Sequence, residues 1–289
     1  MRQDFPAAPL SRRDFIKVSG AAAALSILDP ARPAAPARPL ACRLASYGKF
    51  ESAAWSHVPE VGVKHLFLNV PEPDQVEQTL TRLAQHSLTP LVMRGSADLS
   101  EASSVDALAV QIATCQKMGV GYMFLSPKHA NAPKEVAYEH LRKAGDVARA
   151  HNVVLSLETH PDLGTNGAIQ LETMKAINHQ NVRVNFDTGN ITYYNRGRNA
   201  VDELKTIVDY VATVEVKDHN GGFETWEFPP LGKGVVDFKG VFGVLDACGY
   251  AGPVTLEFEG TQGVNLDEEQ TKHAIEESVA YLRTLGTFV

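Results

Sequence analysis

The sequence predicts an α/β protein folded as a single (β/α)8 TIM barrel. After residue 41, short apolar runs alternate with amphipathic stretches, the pattern of parallel strands joined by helical crossovers. The segment from Cys42 to Val289 has the size typical of eight strand–helix units, about 250 residues. The last four apolar runs also end in acids, and a barrel of this kind assembles its chemistry where its strands end.

Taken in order, the expected strands are 42–48 (CRLASYG), 65–70 (HLFLNV), 90–95 (PLVMRG), 122–127 (YMFLSP), 153–158 (VVLSLE), 182–187 (VRVNFD), 211–217 (VATVEVK) and 253–259 (PVTLEFE). The expected helices cover 49–61, 76–86, 104–118, 135–151, 171–179, 202–208, 238–248 and 268–285. A doubly wound open sheet fits less well, because no G-x-G-x-x-G follows an early strand to mark a nucleotide crevice.

The first residues are of another kind. Ser11-Arg12-Arg13-Asp14-Phe15-Ile16-Lys17 precedes an Ala-rich apolar run and then Ala35-Pro36-Ala37. A charged head, a short apolar stretch and a small-residue tail describe an export signal. The S-R-R-x-F-I-K stretch resembles the twin-arginine signal, whose machinery moves proteins already folded. The apolar run is shorter than the roughly 20 residues that span a bilayer. The expectation is therefore a signal over 1–37, a barrel over 38–289, a periplasmic or otherwise exported product and no stable membrane anchor.

The chain carries a net charge of −7, and loss of residues 1–37 removes Arg2, Arg12, Arg13, Lys17 and Arg32 but only Asp4, Asp14 and Asp29. The mature protein is thus more acidic still, which disfavours binding to nucleic-acid phosphates. Three cysteines without a C-x-x-C indicate neither a zinc knot nor a disulfide framework, and are read as small buried side chains.

Side chains alternate across a strand. Ser156 and Glu158 share one side, as do Arg183, Asn185 and Asp187, then Glu215 and Lys217, then Thr255, Glu257 and Glu259, while the residues between Asn185 and Asp187, Glu215 and Lys217, or Glu257 and Glu259 are apolar. Pointed into a barrel, these polar groups converge. Gathered carboxylates repel unless protons are shared or a cation neutralises them. Oxygen donors favour Mn²⁺ or Mg²⁺, and an imidazole would extend the choice to Zn²⁺, Co²⁺ or Fe²⁺. A glycosidase needs only two carboxylates and leaves the others unexplained.

Residues 154–160 (VLSLETH), 184–190 (VNFDTGN), 214–218 (VEVKD), 231–238 (LGKGVVDF) and 254–260 (VTLEFEG) resemble the xylose isomerase-like TIM barrels, a group that includes sugar phosphate isomerases and epimerases and the endonuclease IV branch. The resemblance implies one divalent ion held by Glu, Asp, His and Glu from strands five to eight, with the two glutamates also acting as acid and base. It carries over to Glu158, Asp187 and Glu257. It departs at strand seven, where H-x-K-D is replaced by Glu215-Val216-Lys217-Asp218. Three resolutions stay open: Glu215 ligates, His219 reaches back in its place, or the metal is lost and Glu215 pairs with Lys217.

The resulting expectation is an exported, metal-dependent sugar isomerase or epimerase acting on a non-phosphorylated sugar or keto-sugar, with Mn²⁺ the first choice of metal. Glu158 and Glu257 would transfer the proton; Glu158, Asp187, Glu215 and Glu257 would hold the ion; His160, Asn190, Lys217 and Trp226 would meet the substrate. A keto-sugar lyase or hydratase would use the same site, and a non-catalytic sugar-binding protein is the alternative from another class. Dimers and tetramers are common in the same group, an analogy that leaves a homo-oligomer open for this chain. Gly232 and Gly234 are read as turn formers, not as a phosphate cradle.

Overall fold

The computed structural model describes residues 36–289, so the expected signal over 1–37 lies almost wholly outside the described residues. Eight parallel strands close into a barrel in sequence order. They are β1 (Leu40–Arg43), β2 (His65–Asn69), β3 (Thr89–Arg94), β4 (Tyr122–Leu125), β5 (Val154–Glu158), β6 (Val182–Asp187), β7 (Val211–Val216) and β8 (Val254–Leu256). β8 pairs with both β7 and β1, which completes the ring.

Helices α1 (Glu51–Glu60), α2 (Val76–Gln85), α3 (Ser104–Lys117), α4 (Lys134–Ala150), α5 (Gly167–Ile177), α6 (Thr188–Tyr194), α7 (Ala200–Ile207), α8 (Phe238–Ala247) and α9 (Glu268–Arg283) follow in turn. Their starts are chemically marked. Asn166, Asn199, Asp237 and Asp267 each accept a backbone N–H of the first turn, and Asp267 with Gln270 forms a reciprocal capping box. Along α2, Val76, Leu80 and Leu83 recur on one face and pack into the core, while Glu77 and Arg82 do not.

β1 and β8 differ most from the expected bounds, and β4 stops at Leu125 in place of residue 127. β1 stops at Arg43 and the chain turns into a 3-10 segment, Leu44–Phe50, where Gly48 takes φ +52°. β8 stops at Leu256, although Glu257 N–H still donates to Val216 O. Helix α6 and a two-stranded ribbon pairing Glu227–Phe228 with Gly260–Thr261 were not foreseen. The segment T-G-N-I-T-Y-Y has no apolar periodicity; its helix is started by Asp187, whose Oδ1 accepts from Gly189 and Asn190 N–H.

The barrel interior is unequal. On the β1–β4 side Ala41, Phe67, Val92 and Phe124 form a closed apolar cluster. On the β5–β8 side the inward residues Ser156, Asn185, Thr213 and Thr255 are fully buried and polar. Asn185 accepts from Thr213 Oγ1 at 2.7 Å and donates to Glu215 Oε2 at 3.2 Å. Buried polar groups are stabilised by pairing, and through Asn185 and Thr213 this half of the interior supports Glu215 above it, while Ser156 Oγ has no partner. At the other end of the barrel Arg38 donates to Tyr250 O and pairs with Asp246, while Leu40 N–H donates to Val289 O, tying β1 to the C-terminus.

Candidate active site

The strand ends form a ring of charge. Arg43 ends β1, Arg94 ends β3, Glu158 ends β5 and Asp187 ends β6; Glu215 lies near the end of β7, with Lys217 just beyond it, and Glu257 and Glu259 follow β8. A cavity of about 420 Å³ opens there, bordered by Arg43, Arg94, Glu158, Lys217, Glu257 and Glu259. That volume suits a small polar molecule.

The acids are cross-linked by two cations. Arg43 Nη1 stands 2.9 Å from Glu215 Oε1 and also donates to Glu257 Oε1. Lys217 Nζ lies 2.7 Å from Glu257 Oε2, 3.0 Å from Glu259 Oε2 and 3.1 Å from Asp187 Oδ2. The Asp187 contact lacks hydrogen-bond alignment, and that oxygen is buried without a hydrogen-bond partner. Ser126 Oγ donates to Glu158 Oε2, and Asn190 Nδ2 lies 3.4 Å from Glu158 Oε1.

These contacts set the protonation states. Burial pushes the Asp187 carboxyl up to about 7, with Lys217 offsetting only part of the effect. Burial and Glu257 raise Glu215 well above the usual carboxylate range despite Arg43. Burial also acts to raise Glu257, but Arg43 and Lys217 outweigh it and hold this carboxyl below its ordinary value. Burial alone would lower Lys217; Asp187, Glu257 and Glu259 reverse that and keep it an ammonium.

Glu158, Asp187 and Glu215 each present an oxygen within 4.8 Å of the others, a buried triad of a size that can hold a metal ion. Glu257, the fourth acid of the expected ligand set, instead has both oxygens engaged by Arg43 and Lys217. Glu215 pairs with Arg43, and Lys217 turns to the other acids.

Residues 50–285 match the family described as Xylose isomerase-like TIM barrel. The chain belongs to the xylose isomerase-like TIM barrel family. Its fold superposes with a TM-score of 0.66 on a xylose isomerase domain protein from Planctomyces limnophilus, at 17% identity over 88% of this chain and 98% of that one. The TM-score is 0.68 against a D-allulose 3-epimerase from Methylomonas sp. in complex with D-allulose, at 15% identity over 87% and 99%. It is 0.65 against IolI protein with a bound zinc atom, at 17% identity over 86% and 99%. At these identities the likeness is one of fold. A stretch of 135 residues is 25% identical to an uncharacterised protein of Methanocaldococcus jannaschii and spans 45% of each chain.

Residues 9–28 match a twin-arginine translocation signal sequence, which marks this xylose isomerase-like chain for export by that pathway. Among the described residues, no helix is long and apolar enough to cross a membrane.

The other residues singled out from sequence fall into two groups. His160, Asn190, Lys217 and Trp226 all line the cavity. Trp226, 40% exposed, packs edge-on against Tyr193 and Phe228 and extends an aromatic wall; the His160 ring lies 5.0 Å from that of Tyr194. Lys217 is buried and ion-paired in place of standing free for substrate. His219 is turned into the loop: Nδ1 receives Gly221 N–H and lies 2.9 Å from Thr192 Oγ1, and Nε2 lies 2.9 Å from Thr225 O. Both ring nitrogens are thereby taken up, which leaves none for a metal.

Asp218 explains the glycines of the long loop. Its carboxylate accepts backbone N–H groups of His219, Gly232, Gly234 and Val236. A Cβ at Gly234 would stand 2.3 Å from Asp218 Oδ1 and 2.4 Å from His219 O, so only glycine fits. The anion cradled by this loop is thus the protein's own. Cys42 and Cys115 are buried as expected, whereas Cys248 is exposed after α8.

Sequence reasoning passed over Arg43, Arg94 and Ser126. The signal was present for Arg94, a charged residue at the end of an apolar run, but not for Arg43, whose carboxylate partners lie on distant strands.

Proposed function

We propose that this protein is an exported sugar isomerase or epimerase that moves a proton on a carbon beside a carbonyl group of a non-phosphorylated sugar or keto-sugar. The observation that carries this reading is that Glu158 and Glu257 arrive from strands three apart around the ring and border one cavity. Two carboxylates on different sides of a bound sugar carbon can remove a proton and return it. Glu257, kept anionic by Arg43 and Lys217, accepts the proton; Glu158, hydrogen-bonded by Ser126, delivers one. Lys217, retained as an ammonium, and Arg43 hold the base in place and spread its charge. His160 and Asn190 would orient hydroxyl groups, and Trp226 would cover the apolar face of the sugar ring. Export by the twin-arginine pathway favours the periplasm and a non-phosphorylated substrate.

The residues fit one divalent ion. Five carboxylates, Glu158, Asp187, Glu215, Glu257 and Glu259, face only two paired cations, Arg43 and Lys217. Asp187 and Glu215, next to Glu158, are the carboxyls that burial pushes toward protonation, and Asp187 Oδ2 is buried without a hydrogen bond, so a cation there would take the place of protons. These three residues would hold the ion, Mn²⁺ first, with Mg²⁺, Co²⁺, Fe²⁺ and Zn²⁺ as alternatives. When bound, it would polarise the carbonyl and neighbouring hydroxyl oxygens of the sugar.

The test is solvent exchange. Mature protein incubated with a panel of ketoses and keto-sugars in deuterated water should place deuterium on one substrate carbon, read by NMR. Glu257→Gln, with its fold unchanged by circular dichroism, should abolish that exchange, whereas Glu158→Gln should abolish formation of the epimer. Epimer formed by the Glu158 variant would remove Glu158 from the role assigned to it, and eliminated products in place of epimers would identify a lyase on the same residues.

A further inference from the structure

The ring of strand ends is electrically divided. The β5–β8 half presents acids, whereas the β1–β4 half presents Arg43, Arg94 and, two residues past Ser126, Lys128. Arg43 is consumed by Glu215 and Glu257. Arg94 and Lys128 differ: both border the cavity, and neither has a carboxylate partner or a side-chain hydrogen bond among the described residues. Both are exposed. Arg94 shares the inward side of β3 with Val92, which belongs to the interior cluster, and its guanidinium carbon lies 6.0 Å from the Phe124 ring centroid.

An ion pair with these acids is open to the cations that border them, although at an exposed side chain it is worth little, and Arg94 acts on Glu257 through its field alone. Lys217 and Arg43 take that arrangement; Arg94 and Lys128 do not. They share the lining of the 420 Å³ cavity with Trp226 and Tyr194. Arginine is the side chain suited to a planar carboxylate, because its fork donates two parallel hydrogen bonds.

We infer that the substrate is an acidic sugar, a uronate or similarly carboxylated keto-sugar, whose carboxylate is held by Arg94 and Lys128 while its reacting carbon faces Glu158 and Glu257. This rests on the sugar-enzyme reading above and narrows its substrate class. The carboxylate end is then fixed on the basic side, which sets the sugar's orientation and favours uronates over neutral hexoses, which leave Arg94 and Lys128 unpaired.

The experiment is calorimetric titration of the mature protein with D-glucuronate, D-galacturonate, D-mannuronate and the keto-acid D-fructuronate, each beside its neutral hexose, at two salt concentrations. At least one uronate should bind roughly tenfold or more tighter than its hexose, the preference shrinking with added salt. Arg94→Gln and Lys128→Gln, both on exposed side chains, should keep the unfolding temperature and the hexose affinity while erasing the preference. Hexoses binding as tightly as uronates, or a preference that survives Arg94→Gln, would overturn the inference and leave the sugar site standing. Absence of binding by every sugar would overturn both.

Discussion

Lys217 Nζ lies 2.7 Å from Glu257 Oε2, with the two side chains only 3% and 5% exposed. They arrive from neighbouring strands, and the ammonium continues to Glu259 and Asp187. Removing one partner of a buried pair leaves an uncompensated charge, which is far costlier than the net worth of the pair. Lys217→Met is therefore expected to destabilise the protein by roughly 3–5 kcal/mol, measured by urea unfolding. Glu259→Gln keeps a hydrogen-bond acceptor at a more exposed position and should cost much less. Equal effects from the two changes would mean that Lys217 is not the keystone of the cluster.

The buried triad of Glu158, Asp187 and Glu215, two of whose carboxyls burial pushes toward protonation, makes a separate statement about metal content. The mature protein purified without a chelating tag is expected to hold about one divalent ion per chain by elemental analysis. Chelation followed by Mn²⁺ at about a hundredfold excess over its dissociation constant should raise stability by about 3 kcal/mol. Asp187→Asn retains an oxygen to cap α6 but loses its charge, so it should fold and fail to respond to Mn²⁺. No ion in the protein, and no stabilisation by Mn²⁺, Mg²⁺, Co²⁺, Fe²⁺ or Zn²⁺, would mean that protons and the two cations balance the acids by themselves.

The acidic half of this site was legible in the sequence because strand alternation is local. Glu158 with Ser156, and Asp187 with Asn185, announce an inward side by period two alone, and the barrel brings them together. Arg43 was not legible, because only the closure of β8 against β1 brings Glu257 beside it. His219 misled for a related reason. Its parity with Glu215 and Lys217 holds only if the strand continues, whereas β7 ends at Val216 and Asp218 turns the chain by gathering four backbone N–H groups. Helix α6 escaped notice because a single side chain, Asp187, starts a helix too short to show a period.

His219 also gives the site a pH dependence that can be signed. Burial lowers its pKa below the ordinary 6.5, partly opposed by the Thr225 carbonyl; Lys217 lowers it by a smaller amount, and Asp218 and Glu227 raise it by less still. In the unfolded chain the same imidazole titrates near about 6.5. Between the two values the unfolded state binds more protons, so stability rises with pH. The contribution is fully present above about pH 6.5 and is lost as pH falls through the folded value. A protonated ring keeps its Nε2–H donation to Thr225 O but sets Nδ1–H against Gly221 N–H, so acid should loosen the turn at Gly221 as well as the fold. Unfolding free energies of the native protein and His219→Gln, measured from about pH 7.5 to 5, should differ in slope, with the variant losing less on acidification. Parallel slopes, or an NMR titration of the His219 ring at or above 6.5, would show that this imidazole is not buried as a neutral group.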